Sequence, residues 1–219
     1  MFAGVHNVRE EDSLYISTDG GVSFTAATNA LFYAGGTFSF GRTAIAVAPQ
    51  DKKTIYVGGT SANGDVNGIF RSLDNGQNWA TYAPKGSPGF TPLGATGRDA
   101  FTLEVFPDNK DELIIAGQNW YTFQSDRGWT QTAQHNFPFL TNYIPRNMYS
   151  VLFLDGGETV FVGTGGQIAG SEDRGQTFSL KSKGYESSVT FNVSASGYSV
   201  QDAVVASTQG NGTVYNQNY

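Results

Sequence analysis

One octapeptide, Ser72-Leu73-Asp74-Asn75-Gly76-Gln77-Asn78-Trp79, limits what this chain can fold into, because it recurs. Ser17-Thr18-Asp19-Gly20-Gly21-Val22-Ser23-Phe24 and Ser171-Glu172-Asp173-Arg174-Gly175-Gln176-Thr177-Phe178 share its skeleton, Ser-x-Asp-x-Gly-x-x-aromatic. A fourth copy, Gln124-Ser125-Asp126-Arg127-Gly128-Trp129, keeps Asp126 and Gly128 in step but loses the serine and moves the aromatic. The aspartates at 19, 74, 126 and 173 recur about every fifty residues, the signature of a repeat architecture. An aspartate side chain accepts hydrogen bonds from backbone N–H groups just ahead of it and so fixes a tight turn. Glycine two residues later supplies a backbone angle that other residues resist. Ser17, Ser72 and Ser171 tie the turn to its neighbour, while Phe24, Trp79 and Phe178 begin the next strand and fill space between sheets. These residues are hairpin fasteners.

Between the corners run short apolar segments separated by turn residues. Ala44–Ala48 ends at Pro49, Ile55–Gly59 follows a polar turn, and Gly68–Ser72 leads into the corner before Trp79–Tyr82. The pattern repeats from Phe101 and Tyr149, and partly from Val189. Strands of about five residues in this rhythm make an antiparallel meander of four strands per repeat. Composition agrees: 28 Gly, 11 Tyr and 16 Phe in 219 residues, with 15% charged, is the balance of a turn-rich β protein. So short a sheet cannot bury both faces alone, so copies must stack, and radial stacking gives a β-propeller.

The expected fold is all-β, with approximate blades at 1–36 (partial), 37–97, 98–145, 146–184 and 185–219 (partial) in a single domain. The N-terminus supplies strands two to four of one blade and the C-terminus strands one to three of another. Together they would place six strands where four fit. The chain is therefore either five blades with two incomplete, or an arc of a larger propeller. An arc leaves strand edges to be covered by other chains or by the rest of a longer polypeptide.

Several classes are disfavoured. A net charge of −6 argues against nucleic acid, and no run approaches the roughly 20 apolar residues that span a bilayer. There is no cysteine for disulfides or thiolate sites. His6 and His135 lack ligand-like spacing, so neither a metal nor a cofactor is expected. No signal peptide is visible at Met1. Asn192-Val193-Ser194 and Asn211-Gly212-Thr213 match the glycosylation acceptor pattern, which matters only in a secreted eukaryotic protein.

The wording of the second repeat, Gly41-Arg42-Thr43-Ala44-Ile45-Ala46-Val47-Ala48-Pro49, Ile55-Tyr56-Val57-Gly58-Gly59 and Ile69-Phe70-Arg71 running into the corner, resembles the Asp-box (BNR) repeat propellers. That group includes sortilin-like receptor domains, xyloglucanase-like glycoside hydrolases, sialidases and photosystem II assembly-factor propellers. The resemblance covers nearly the whole chain. It implies a fold and an extracellular or cell-surface setting more than an activity, because the box is shared by enzymes and non-enzymes.

Two features carry chemistry. Arg42, Arg98 and Arg146 each stand three residues before an inner strand's first apolar residue, which should set guanidinium groups around one end of the channel. They form either an anion-binding rim or tethers for loop carbonyls. The resemblance to sialidases makes a carboxylate clamp of the first reading, although the sialidase Arg-Ile-Pro signature is absent; Tyr143-Ile144-Pro145-Arg146 has the letters in another order. A glycosidase needs two facing carboxylates, for which Asp99 and Glu104 are the least routine choices. The second feature is aromatic: Trp120, Phe137, Phe139 and Tyr143 crowd a long blade connection together with amides. Such rings either stack on a sugar or protein ligand or fill the wedge between blades. The expected function is a binding or scaffold module that recognises a protein or glycan through its blade loops. The alternatives are a glycoside hydrolase, or part of one, and a structural subunit of a larger surface assembly.

Overall fold

The structure, a computed structural model, describes residues 1–5, 13–27, 42–60, 64–83, 90–181, 183, 190–196, 203–208 and 212–217. His6, Gly41 and Asn211 lie outside the described residues. Within them the chain forms five antiparallel sheets whose strands pair in chain order. Blade 1 holds β1 (Phe2–Val5), β2 (Ser13–Ile16) and β3 (Thr25–Ala26). Blade 2 holds β4 (Thr43–Val47), β5 (Ile55–Thr60), β6 (Val66–Ser72) and β7 (Ala80–Ala83). Blade 3 holds β8 (Thr102–Phe106), β9 (Asn109–Ala116), β10 (Trp120–Gln124) and β11 (Gly128–Ala133). Blade 4 holds β12 (Met148–Leu154), β13 (Thr159–Thr164), β14 (Ile168–Ser171) and β15 (Ser179–Leu180). Blade 5 holds β16 (Thr190–Ser196), β17 (Ala203–Thr208) and β18 (Gly212–Gln217). The sheets do not close on themselves. The molecule is a partial propeller.

Period-two alternation makes each middle blade apolar on both faces, and the cores lie between blades rather than within one. Ile55, Val57, Phe70 and Trp79 of blade 2 pack on Leu14 and Ala27 of blade 1. The opposite face of blade 2, with Ala46, Ala48, Tyr56 and Ile69, meets Leu103, Val105, Leu113, Ile115 and Tyr121 of blade 3. The far face of blade 3, with Phe106, Ile114 and Trp120, meets Met148, Val160, Val162 and Ala169 of blade 4. Each large apolar side chain so buried contributes about 1.5–3 kcal/mol. On β12 the alternation turns Val151 and Phe153 toward blade 3 and leaves Leu152 and Leu154 exposed on the other side.

Three corners are built alike. In blade 2, Ser72 Oγ donates to Asp74 Oδ1 at 2.8 Å and accepts the Gly76 N–H at 2.8 Å. Asp74 Oδ1 accepts the N–H groups of Gln77 and Asn78 at 3.1 and 2.9 Å, and its Oδ2 takes the Asn78 amide at 2.7 Å. These donors hold the Asp74 carboxyl down at about 2. Asp19 and Asp173 repeat the pattern with Ser17, Ser23, Ser171 and Thr177 as partners. Two successive residues take positive φ in each corner: Gly20 and Gly21, Asn75 and Gly76, Arg174 and Gly175. The second of each pair lies flat on other side chains. A Cβ on Gly76 would stand 2.7 Å from the Phe2 ring of blade 1, and one on Gly175 would stand 3.0 Å from Trp120 of blade 3.

The fourth copy is a different turn. Asp126 is exposed and meets only its neighbour Arg127, at 3.4 Å, among the contacts described. The Arg127 N–H bonds Gln124 O at 3.1 Å, and Gln124 pairs directly with Gly128, whose φ is 72°. Without the serine there is no hydroxyl to gather the loop, so the hairpin closes shorter. Trp129 still reaches the junction with blade 2, stacking near Phe90 and Phe123. Phe24 also departs from expectation: it is 40% exposed where Trp79 is 7%. The reason is positional, since each corner aromatic packs on the preceding blade and blade 1 has none among the described residues.

Charged clamps at the corner end add to the blade junctions. Arg174 forks onto Asp108 at 2.8 and 3.1 Å, reaches Glu112 at 3.0 Å and stacks 4.5 Å from the Phe106 ring centroid. Arg71 pairs with Asp111 at 2.7 Å while lying over Tyr82.

Candidate functional site

The antiparallel order gives every blade two different ends. One carries the corners. The other carries the turns between second and third strands and the crossovers from blade to blade. At that second end, in blade 3, the short turn Gly117–Asn119 is a hub. Gln118 and Asn119 both donate their backbone N–H to Pro92 O at 2.8 Å, and Asn119 Nδ2 reaches Thr91 O at 3.2 Å, which fixes the incoming crossover. Gly117 O accepts the Met148 N–H at 2.9 Å, which fixes the start of blade 4. Gln118 lies over Gly94, where an added Cβ would fall 1.6 Å from its Oε1.

The outgoing crossover, residues 134–147, is fastened to the same hub by His135. The ring Nδ1 lies 2.9 Å from Asn119 Oδ1, and Nε2 lies 2.9 Å from Gln118 Nε2. Because Asn119 Nδ2 is committed to Thr91, its Oδ1 faces the ring, so Nδ1 donates and Nε2 accepts from Gln118. That is the neutral imidazole. Burial, followed by the charge of Arg146, pushes the ring below the ordinary histidine value. The loop also braces itself: Gln134 pairs with Tyr143, Asn142 Nδ2 reaches Thr132 O at 3.1 Å, and the Phe178 N–H donates to Thr141 O at 2.8 Å. From this frame Phe137 and Phe139 project at 51% and 81% exposure, ring centroids 6.0 Å apart, with Leu140 beside them. Exposed aromatics on a pinned loop are unusual for a surface that meets only water.

The sequence-predicted residues divide. Phe137 and Phe139 stand at the tip and Tyr143 is half-buried at the loop's base. Trp120 does not belong with them. Its side chain is fully buried between blades 3 and 4, edge-on to Phe178 at 5.4 Å and against Gly175, so it cannot meet a ligand. It fills the wedge because β10 turns its first residue toward blade 4. The arginines are not an equivalent ring either. Arg42 Nη1 donates to the carbonyls of Asp99 and Arg98 at 2.7 and 3.3 Å, tying blade 2 to the next crossover. Arg98 and Arg146 are exposed. Asp99 is exposed and contributes its carbonyl to Arg42. Glu104 lies on inner strand β8 on the face toward blade 4, and desolvation pushes its carboxyl up to about 7. Among the described residues no group of three or more His, Asp or Glu side chains gathers as a metal site would require.

Sequence reasoning missed the hub. Gln118, Asn119 and His135 come together across 17 residues, and no repeat marks them. The one usable signal was the mixture of amides and rings in 117–143 without an acidic or lysine residue between Gly128 and Tyr143.

Fold and loops together define a partial β-propeller with one repetitive end and one specialised end. No protein-family model matches the sequence, and no curated protein sequence matches it. Among solved structures it is similar to the GH74 xyloglucanase of Xanthomonas campestris, with a TM-score of 0.54 and 18% identity over 94% of this chain and 33% of that one. It is also similar to an ancestral GH74 enzyme, with a TM-score of 0.51 and 16% identity over 99% of this chain and 29% of the other. The chain thus spans about a third of the length of these enzymes, and at such identities the likeness is one of fold. No helix among the described residues is long and apolar enough to cross a membrane.

Proposed function

We propose that this chain is an arc of an Asp-box propeller that binds a glycan, without cleaving it, through the 134–147 loop in an extracellular or cell-surface setting. The observation that carries this reading is the exposed Phe137–Phe139 pair, held on a loop whose frame is made of amides. Aromatic faces cover the apolar faces of a sugar ring, while amides such as Asn136 supply hydrogen bonds at its edge. Exposed Arg146 offers a fork for a substituent carboxylate or sulfate. The serine–aspartate corners support the Asp-box assignment, and sheets that do not close on themselves support further blades, from this polypeptide or another, completing the ring.

Glycan-array screening followed by calorimetric titration tests the reading. Phe139→Ala should weaken binding by about tenfold or more, the loss of a hot-spot side chain, with the melting temperature unchanged. Undiminished binding by a Phe137→Ala/Phe139→Ala double variant would remove the loop from the account. A second reading, glycoside hydrolysis, is favoured by one observation: Glu104 carries a carboxyl raised to about 7 by desolvation, as a general acid needs. Release of reducing ends from a β-glucan, lost in both Asp99→Ala and Glu104→Gln, would establish it.

A further inference from the structure

The geometry points to His135 as an acid-released latch: its neutral ring holds the aromatic crossover loop to the Gly117–Asn119 hub, and protonation lets the loop go. The inference stands on the loop's anchorage and not on what the loop binds.

Both ring nitrogens are used, and in opposite senses. Nδ1 must donate, because the oxygen it faces belongs to an amide whose nitrogen is already bonded to Thr91 O. Nε2 must therefore accept, and its partner 2.9 Å away is the Gln118 amide nitrogen. The backbone N–H of His135 adds a weaker contact to the same Asn119 oxygen at 3.4 Å. Thus His135 fastens to the hub a loop whose base is closed by the Gln134 backbone bonds to Asn142 and Ile144.

A second proton on the imidazole converts Nε2 from acceptor to donor, setting N–H against N–H across 2.9 Å. Turning the Gln118 amide over would present its oxygen to the ring only by moving its NH₂ group to the oxygen's present site above the Gly94 backbone. Among the described residues no acidic group acts on the ring to receive the new charge. The turn Gly117–Asn119 and the segment Phe90–Gly97 behind it contain no ionisable side chain, and the loop itself contributes Tyr143 and Arg146. Arg146 is the charge that acts on the ring, and it acts against protonation. Burial works the same way. The latch is closed while the ring is neutral and opens as pH falls through a value below the ordinary 6.5.

The consequences reach the tip. With the His135 contacts gone, Phe137 and Phe139 remain on a loop held by the Gln134–Tyr143 bridge and the bonds of Thr141 and Asn142 but no longer fastened to the hub, so whatever they bind is released by acid or bound with lower affinity. Nothing comparable operates at the corner end, whose aspartates are held ionised far below this range.

Hydrogen exchange of the full chain, corrected for the intrinsic pH effect and run at about pH 7.5 and about pH 5, tests the latch. Residues 134–147 should exchange several-fold faster at the lower pH while the blade 2 corner, 72–79, keeps its protection. Gln118→Glu is the decisive variant. Its carboxylate accepts from a protonated Nε2, so acid should tighten the loop instead of loosening it, and the ring's NMR titration should move upward. His135→Ala should exchange quickly at both pH values. The proposal is overturned by equal protection of 134–147 at the two pH values, by loosening of the corner in parallel with the loop, or by a Gln118→Glu chain that opens in acid as the wild type does.

Discussion

The two ends of blades 3 and 4 are made from the same strands and behave as opposites. At the corner end, polar groups are satisfied within one turn: Ser171, Asp173 and Thr177 bond to one another and to the turn's own N–H groups. At the crossover end the polar groups are satisfied between segments, and the rings have no cover. The difference teaches that local closure suits repetition, since each corner carries its own instructions. A surface assembled from distant segments is free to vary without disturbing the blades, and there specificity is expected.

Three tests break or sharpen this contrast. The largest effect should come from Trp120→Ala, which empties the space against Phe178 and Gly175 and should cost about 3–5 kcal/mol in chemical denaturation. Phe139→Ala, a ring of similar kind at the other end, should leave the denaturation midpoint unmoved. An equal loss of stability in the two variants would mean that the loop tip is part of the core.

Next come two glycines with the same place in the motif. Gly76→Ala must hold φ at +84° and push its Cβ against the Phe2 ring, so a cost of about 2–4 kcal/mol is expected. Gly128→Ala meets nothing within 4 Å and should cost about 1 kcal/mol, the backbone term alone. Equal costs would place the blade 3 turn back among the true corners.

The smallest effect is a pH slope. The Glu104 carboxyl is raised in the fold from 4.5 to about 7, so the native state holds the proton more tightly than the unfolded chain. Its contribution is full below pH 4.5 and is lost as pH rises toward 7, by on the order of 2 kcal/mol. In Glu104→Gln that decline should vanish from thermal melts across this range. His135 has the opposite sign: its lowered value favours the native state above 6.5 and weakens it below. A wild-type profile with neither slope would place both side chains in water.

Much of the blade architecture was legible in the octapeptides. Ser72, Asp74 and Gly76 occupy the positions their spacing demanded, and the four-strand rhythm from Ala44 to Tyr82 became blade 2. Asp126 was legible as a turn but not as a corner, because the missing serine changes the hydrogen-bond closure and the letters Asp and Gly survive in both. Trp120 was misread for a different reason. Its neighbours Asn119 and Tyr121 look the same whether the ring faces solvent or the next blade, and the choice belongs to the pleat of β10 and the wedge it meets.

What the chain determined alone were the interactions that close within about eight residues: the corners, the strands between them and the need to stack. Their energies depend on neighbours in sequence, so a local pattern records them. Tertiary structure decided which rings were buried, which arginine became a tether, and that Gln118, Asn119 and His135 would meet. Those outcomes depend on the packing of one blade against the next, a distance relation that a linear pattern of residue types does not contain.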